Sequence, residues 1–336
     1  TAMVNWQRGI KSGEEIAHMQ RAARIAETVM DGVIERIEPG MRKNDLVAEI
    51  YADTIRGVGD TWGDYPAIVP LLPSGTDAAA PHLTWDGASF KQGEGTFFEL
   101  AGCYRRYHIP FCRSVFLGTP PDFLKRAEAA LVEGLEAGLD AARAGNRACD
   151  IATALAAPLE RAGIERGARC GYPIGLSYPP DWGERTISLR EQDETVLQAG
   201  MTFHFMPGLW MDDWGLEITE SILIKPEGPA ECFCSQPRKL FVKTNEQAIP
   251  RPSHIGGSDR LSDGVGGQQS GHDCLYRRSI ERLWRAGRYH VRRKRAKGQS
   301  VCHVRPIRPL GHYAVGSHGC RASRWAGLDP TAFRDD

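Results

Sequence analysis

Two side chains in the first third of the chain could carry acid–base and nucleophilic chemistry. His82 follows a proline in the turn at residues 74–82. Imidazole changes its charge near neutral pH, so we predict His82 as a general acid and base. Glu99 lies in the stretch 96–100, and a glutamate carboxylate can act as a nucleophile.

Further candidates lie on two later β-rich stretches, where side chains two residues apart point to the same face. His204 and Met206 share a face by this rule, and His204 is expected either to line a pocket or to lie in the core. Glu217 and Thr219 share a face, whereas Glu220 points the other way. We predict Glu217 as the pocket acid, with Glu220 as the alternative if the register slips by one residue.

Aromatic rings near these positions could hold a delocalised cation, each contributing ~0.5–2 kcal/mol when it is desolvated. The candidates for substrate binding are Trp85, Phe98, Tyr172, Trp210 and Trp214. At least half of these rings are expected to lie in the hydrophobic core instead.

The elements that must position these residues follow from periodicity. Apolar residues recur at helical spacing from a capping-box pattern at Ser12 and Glu15 to about residue 37. Further helices are predicted at 44–56, 121–144 and 147–162, with β-rich stretches at 66–72, 95–102, 110–117, 200–208 and 216–225. The order, two helices then strands, occurs twice and indicates an α+β fold of two repeats.

Composition divides the chain into two parts. Residues 244–336 hold 17 Lys and Arg against 8 Asp and Glu, a net charge of +9, so residues 1–243 carry −9 within a total of zero. We therefore predict a folded domain at 1–243 and a basic extension at 244–336, disordered or non-native. The alternative for residues 277–297 is a basic helix that touches nucleic acid or membrane.

The remaining composition limits the compartment and the metal content. The 336 residues contain no apolar run near the ~20 that span a bilayer. Nine cysteines at irregular spacings make no disulfide framework. The chain opens on Thr1 without a signal-like segment, so we expect a cytoplasmic protein without a membrane partner.

A zinc site in the tail is disfavoured because the spacing of its candidate ligands fits no usual pattern. These candidates are Cys302, His303, His312, His318 and Cys320.

Residues 98–116 resemble the core hairpin of the pita-bread enzymes, a superfamily that contains aminopeptidases, prolidases and creatinase. Four other stretches resemble the motifs that build its active site: 74–82, 171–176, 200–208 and 215–224. The resemblance implies two αβ repeats around a curved, mainly antiparallel sheet. It also implies that His82 contacts the substrate.

In the peptidases of that superfamily, five positions bind two metal ions. The matching residues here are Glu99, Pro110, Tyr172, Met206 and Thr219. One carboxylate remains among them, and a thioether does not bind hard cations. We therefore predict no metal and no cofactor, which excludes the usual peptidase chemistry because a neutral peptide carbonyl needs Lewis-acid polarisation.

Up to residue 243, including 232–241, the chain resembles the bacterial ectoine hydrolases of this superfamily more specifically. That resemblance implies metal-independent opening of a cyclic amidine, ectoine, to N-acetyl-diaminobutyrate. Glu99 would be the nucleophile, His82 the proton carrier and Glu217 the residue that orients water. Arg105, Arg106 and Arg113 are the candidates for binding the carboxylate of the zwitterionic substrate, and the sequence does not select among them.

The same resemblance implies a homodimer and an additional N-terminal domain, which we expect this chain to lack. Acceptance of hydroxyectoine stays open, and nucleic acid is expected as a partner only if the basic tail provides it. Two alternatives remain: a metal-dependent Xaa-Pro dipeptidase, and an inert peptide-binding module in which Glu99 and His82 have no chemical role.

Overall fold

The structure, a computed structural model, describes residues 3–244, 289–296 and 299–306. The chain divides into two compact units, residues 1–252 and 253–336. In the parts described, no helix is long and apolar enough to cross a bilayer. The division at residue 243 between a folded domain and a basic extension stays a prediction.

The described residues of the first unit contain five α-helices, four of which match the predicted helices, whereas the short first one was not predicted. Ser12 and Glu15 form the predicted capping box, in which the Ser12 N–H donates to the Glu15 carboxylate at 2.8 Å. The helices are α1 (Met3–Gln7), α2 (Gly13–Arg36), α3 (Lys43–Arg56), α4 (Asp122–Ala141) and α5 (Ala148–Arg161).

Ten strands lie between and after these helices in the described residues of the first unit. They are β1 (Gly95–Tyr104), β2 (Tyr107–Leu117), β3 (Gly171–Tyr178), β4 (Asp181–Gly183), β5 (Thr202–Phe205), β6 (Gly208–Trp210), β7 (Gly215–Glu217), β8 (Glu220–Leu223), β9 (Glu231–Cys232) and β10 (Phe241–Lys243). Eight of them form one sheet along the path β1-β2-β3-β5-β8-β9, with β4 beside β3 and β10 parallel to β2. β6 and β7 form a separate hairpin.

The strand predicted at 66–72 is wrong. Leu71 alone forms a bridge there, opposite Glu99, because Pro66 and Pro70 cannot donate to a ladder. The predicted stretches 200–208 and 216–225 each break into two short strands, whereas β3 was not predicted as a strand.

Helices cover one face of the sheet in both halves. In the first half α2 packs so closely on β1 that a Cβ on Gly102 would lie 2.0 Å from the carbonyl oxygen of Ala22. In the second half the Phe205 ring packs against Gly138 of α4. Since side chains alternate along a strand, Glu99 and His204 point to the opposite face of the sheet.

The second unit contains an antiparallel hairpin of β11 (Tyr289–Ala296) and β12 (Gln299–Pro306). The alternative of a basic helix at 277–297 is therefore wrong over 289–296. Its remainder lies outside the described residues, as do His312, His318 and Cys320 of the disfavoured zinc site.

Candidate active site

A chain of buried hydrogen bonds joins β3, β5 and the segment after β7. The Trp182 indole N–H donates to the Tyr172 hydroxyl at 2.7 Å. The same hydroxyl lies 3.0 Å from Nδ1 of His204, whose Nε2 lies 2.9 Å from the Thr219 hydroxyl. Every polar group in the chain has a partner when Tyr172 donates to Nδ1 and Nε2–H donates to Thr219.

His204 is held neutral by its surroundings. Complete burial, and then the positive charge of Arg169, lowers the pKa of His204 to about 3. Its ring stands edge-on to Tyr172, with 5.4 Å between centroids. The imidazole therefore acts as a fixed dipole between two hydroxyl groups over the pH range in which most enzymes work.

Glu99 lies beside this chain on β1. Two backbone hydrogen bonds with Leu71 fix its main chain. The Glu99 N–H donates to the Leu71 carbonyl at 3.0 Å, and the Glu99 carbonyl accepts from the Leu71 N–H at 2.9 Å. The carboxylate is 3% exposed and lies 3.8 Å from Nδ1 of His204, too far for a hydrogen bond. Burial raises the pKa of Glu99 to about 8, because no cation in the described residues compensates the charged form.

Glu217 is a second buried acid close to Glu99. It is fully buried, and neither of its carboxyl oxygens has a hydrogen-bond partner among the described residues. Burial and the nearby Glu99 raise the pKa of Glu217 well above its usual value. Two carboxylates close together cannot both ionise readily, so Glu217 carries the proton when Glu99 is charged.

Trp210 faces Glu217 without bonding to it. The two residues share a face of the β6–β7 hairpin, where Gly208 lies opposite Glu217 and leaves room for the indole ring. The indole N–H slightly lowers the pKa of Glu217, yet its hydrogen-bond geometry is not met, since both groups are unpartnered in the described residues. A donor and an acceptor in the described part of the chain thus remain free for a ligand.

Strand β2 fixes the position of Glu217 and Thr219 through backbone contacts. Cys112 N–H donates to the Thr219 hydroxyl at 2.9 Å and Thr219 N–H to the Cys112 carbonyl at 3.2 Å. The Ser114 hydroxyl exchanges hydrogen bonds of 2.9 and 3.0 Å with the backbone of Glu217. Because Cys112 pairs with Glu99 in the β1–β2 ladder, these contacts set the register of all three site residues.

His82 lies at the surface on the loop that passes this site. Its neighbour Leu83 accepts a hydrogen bond from Leu72 at 3.2 Å, one residue from the bridge between Leu71 and Glu99. Partial burial and then the charge of Arg169 lower the pKa of His82. A neutral imidazole at the pocket edge is ready to accept a proton.

Four residues predicted for substrate binding lie elsewhere. Phe98 alternates with Glu99 and packs on Phe90 with centroids 6.0 Å apart. Glu220 lies on the helix side and pairs with the buried Arg113 at 2.7 Å, so the register does not slip. The other two, Trp85 and Trp214, pack against Tyr51 of α3 and Phe123 of α4. Of these three aromatics Phe98 belongs to the core, whereas Trp85 and Trp214 are partly buried and pack against its edge.

Sequence reasoning missed several residues of this site. Phe97, one position before the predicted ring, packs with Cys112 and Trp210 on the pocket face. Arg169 places its guanidinium carbon 4.8 Å from the centroid of the Tyr172 ring. Alternation from Glu99 would have selected Phe97, whereas nothing in the local sequence marks Arg169.

The residues present do not fit a two-metal centre. At the five superfamily positions the donors are one carboxylate, a phenol, a thioether, a hydroxyl and no side-chain oxygen at Pro110. Both nitrogens of His204 are used by Tyr172 and Thr219. Among the described residues no three His, Cys, Asp or Glu side chains are placed to hold a metal ion.

A cavity of about 530 Å³ lies away from these residues, between α5 and the segments 164–170 and 190–192. Its lining includes Arg166 and Cys170 but none of Glu99, His204 and Glu217. Its mixture of apolar and charged walls does not bring together groups that could perform catalysis.

Comparison with known proteins shows which sequences this chain resembles. The sequence pattern of metallopeptidase family M24 matches residues 17–226. The ectoine hydrolase of Halomonas elongata is 59% identical over 248 residues, covering 72% of this chain and 62% of that enzyme. The Xaa-Pro dipeptidase of Pyrococcus furiosus is 24% identical over 223 residues, covering 65% of this chain and 61% of the dipeptidase. This chain thus spans less than two thirds of the length of these relatives.

Solved structures agree on the architecture. The X-Pro aminopeptidase of Thermotoga maritima aligns with a TM-score of 0.65 at 22% identity, covering 71% of this chain and 66% of that one. The prolidase of Pyrococcus furiosus aligns with a TM-score of 0.62 at 23% identity, covering 70% of this chain and 67% of that one. These alignments confirm the predicted pita-bread fold.

Proposed function

This chain belongs to metallopeptidase family M24, and from its altered donor set we propose that it opens the cyclic amidine ring of ectoine without a metal ion. The observation that carries the proposal is Glu99, a buried carboxyl group beside a neutral imidazole, for which the described residues offer no cation to pair with. A pocket of this kind favours a cationic ligand. The ectoine hydrolase of Halomonas elongata, at 59% identity, supports the choice of ectoine among such ligands.

Binding comes first in the proposed mechanism. The amidinium group of ectoine spreads one positive charge over two nitrogens and replaces the missing countercharge of Glu99. The bound amidinium stabilises the ionised carboxylate of Glu99 and so lowers the pKa of Glu99 in the complex. The unpartnered Trp210 N–H and Glu217 carboxyl supply one donor and one acceptor to the ring or to a water molecule.

Ring opening then proceeds in two stages. An oxygen of Glu99 forms a bond to the amidine carbon, and the electrons of the C=N bond move to the ring nitrogen. His82, which is exposed to solvent, passes a proton from solvent to one ring nitrogen. The C–N bond to that nitrogen breaks, and the ring opens as an acyl imidate in which Glu99 is bonded to the former amidine carbon. Water, oriented by Glu217, adds to that carbon while His82 removes its proton, and Glu99 leaves as carboxylate with release of N-acetyl-diaminobutyrate.

Metal independence rests on the charge of the substrate. The carbon of an amidinium is already electron-poor, whereas the carbonyl of a dipeptide requires a Lewis acid. Glu99, Tyr172 and Thr219 at three former ligand positions offer one charge and two hydroxyl groups, which suits an organic cation better than two divalent ions.

Turnover tests the proposal directly. The chain is incubated with ectoine, with creatine and with proline dipeptides, each with and without EDTA, and the products are identified by mass spectrometry. We expect N-acetyl-diaminobutyrate from ectoine alone, at the same rate in both conditions. EDTA-sensitive cleavage of a dipeptide would establish the metal-dependent alternative, and binding of peptides without any turnover would establish an inert module.

The covalent step has a separate readout. Glu217→Gln removes the residue that orients water, so the covalent intermediate on Glu99 should still form but should hydrolyse slowly. Intact-mass measurement after mixing with ectoine should then show the protein heavier by the mass of one substrate. Glu99→Gln combined with Glu217→Gln is the matched control and should show no adduct; an adduct in that double variant would exclude Glu99 as the nucleophile.

A further inference from the structure

Arg169 is the cation on this side of the sheet whose donors are uncommitted. It lies just before β3 and is exposed at the surface. Its guanidinium lies over the Tyr172 ring, 4.8 Å from the centroid. Among the described residues it forms no ion pair, and its side chain donates no hydrogen bond.

The other arginines near the site are fully engaged. Arg113 donates to four backbone carbonyls and to Glu220. Arg106 is bound at the hairpin tip by Ser177, Tyr65 and Asp64. Arg166 donates to the carbonyls of Met206, Gly208, Ala168 and Arg169. Two of the three arginines proposed from the sequence, Arg106 and Arg113, are thus structural, and Arg105 lies beside Arg106 with its guanidinium over Tyr104.

The position of Arg169 relative to the reacting groups follows from its contacts. It stacks on Tyr172, whose hydroxyl binds His204, which in turn lies 3.8 Å from Glu99. Its charge also acts on His82 and His204, lowering the pKa of each. Arg169 therefore lies against Tyr172 and close enough to His82 and His204 for its charge to act on both.

We propose that Arg169 binds the carboxylate of the substrate and so selects zwitterionic cyclic amidines over purely cationic ones. This inference rests on the proposed function. A guanidinium stacked on a ring keeps its edge free for a two-point hydrogen bond to a carboxylate. With the cation drawn to Glu99 and the anion to Arg169, the ring binds in one orientation, and its electron-poor carbon faces the nucleophile.

The test compares a ligand that carries both charges with one that lacks the carboxylate. Wild type, Arg169→Met and Arg169→Lys are compared on ectoine and on the same methylated tetrahydropyrimidine ring without its carboxylate. Arg169→Met should lower kcat/KM for ectoine roughly 10- to 100-fold, the loss expected for hydrogen bonds to a charged group. The effect should fall mainly on KM, and the carboxylate-free ring should change less than about twofold because it never contacts residue 169. Arg169→Lys should recover part of the loss, because lysine keeps the positive charge but cannot form the two-point hydrogen bond of a guanidinium.

Arg161→Met is the matched control, since Arg161 is exposed and pairs with Glu133 on the helices. It should leave both ligands unaffected. An equal loss on both ligands in Arg169→Met would overturn the inference, because the residue would then only support Tyr172.

Calorimetric titration of the same ligands makes the two proposals fail separately. Ectoine that binds wild type in an Arg169-dependent manner but is not opened would refute the proposed hydrolysis and retain the carboxylate site. Turnover of ectoine with affinity and KM unchanged in Arg169→Met would refute the site and retain the hydrolysis. Failure of ectoine to bind wild type at all would overturn both.

Discussion

Glu217 and Glu220 are three residues apart and both are buried, yet they lie on opposite faces of the sheet in contrasting surroundings. Glu220 faces the helices and binds Arg113 at 2.7 Å, with both side chains at most 1% exposed. Glu217 faces the other way, and both of its oxygens are unpartnered in the described part of the chain. Burial raises the pKa of both acids, but Arg113 opposes the rise at Glu220, whereas Glu99 adds to it at Glu217.

The contrast separates an acid that is paired within the fold from one whose oxygens have no partner in the described residues. A buried ion pair with all donors used is stable in place, and removing one partner leaves an uncompensated charge. A buried acid without partners lowers the stability of the free protein, and such a cost is typical of functional sites. On the helix side Glu220 has a charged partner, although its Oε2 has none in the described residues, whereas on the other side both oxygens of Glu217 are unpartnered there.

Among the substitutions that test these two faces of the sheet, Glu99→Gln should have the largest effect on activity. Without a nucleophile, kcat for ectoine should fall by at least about a thousandfold, which corresponds to roughly 4 kcal/mol of barrier. Thermal unfolding should occur at the same or a higher temperature, since the amide cannot ionise, whereas ionisation of the buried acid is unfavourable in the folded state. Product formation by mass spectrometry and the melting curve are measured on the same sample, and retained activity would refute the role of Glu99.

The two other acids should respond in opposite ways to the same substitution. Glu220→Gln leaves Arg113 with a buried uncompensated charge, so the free energy of unfolding should fall by about 3–5 kcal/mol. Glu217→Gln should leave it unchanged or slightly higher. Urea titration of both variants measures the difference, and equal destabilisation would show that both faces are structural.

The pH dependence should follow Glu99, whose pKa is raised to about 8 in the free protein. Only the ionised form attacks, so kcat/KM should rise as the pH rises through about 8 and then level off. The corresponding rise in kcat should occur at lower pH, because the bound amidinium favours the carboxylate. His204, with a pKa of about 3, should not titrate in this range. A kcat/KM that stays flat from about pH 6 to about pH 10 would contradict this account.

The raised pKa of Glu99 also affects folding. The folded state keeps a proton on Glu99 at pH values where the unfolded chain, with an ordinary pKa of 4.5, has lost it. The contribution of Glu99 to stability therefore falls as the pH rises from the unfolded value to about 8. Glu99→Gln should remove this part of the dependence, which urea titration at several pH values would measure.

Metal removal should have the smallest effect. Dialysis against EDTA should change neither ectoine turnover nor the melting temperature by more than the error of measurement, because the donor set does not suit divalent ions. Addition of manganese, cobalt or zinc should likewise not activate the chain. Activity that disappears with EDTA and returns with one of these ions would establish a metal centre.

The sequence predicts the framework better than the lining of the pocket. The capping box and helical periodicity locate four helices because these signals are local. Alternation correctly separates Glu217 from Glu220, and it would have favoured Phe97 over Phe98 had it been applied to β1. The strand predicted at 66–72 fails because its prolines outweigh its apolar character.

Long-range contacts account for what the sequence did not reveal. The stacking of Arg169 on Tyr172 and the packing of Trp85 on Tyr51 depend on segments that meet only in the folded state. A local pattern contains no information about which ring a helix will cover. The motifs that resemble the superfamily identified the positions of Glu99, Tyr172 and Thr219, but not the hydrogen bonds that connect the last two to His204.

Arg113 has a consequence for biosynthesis. Its guanidinium gathers carbonyls from Cys112, Thr219, Gln236 and Pro237, so its acceptors emerge from the ribosome over more than half of the translation of this domain. A cation enclosed before its last acceptors arrive would cost several kcal/mol. We expect the hairpin around Arg113 to close only after Pro237 has left the exit tunnel, so the nascent chain gains its reactive carboxylate at the end of domain synthesis.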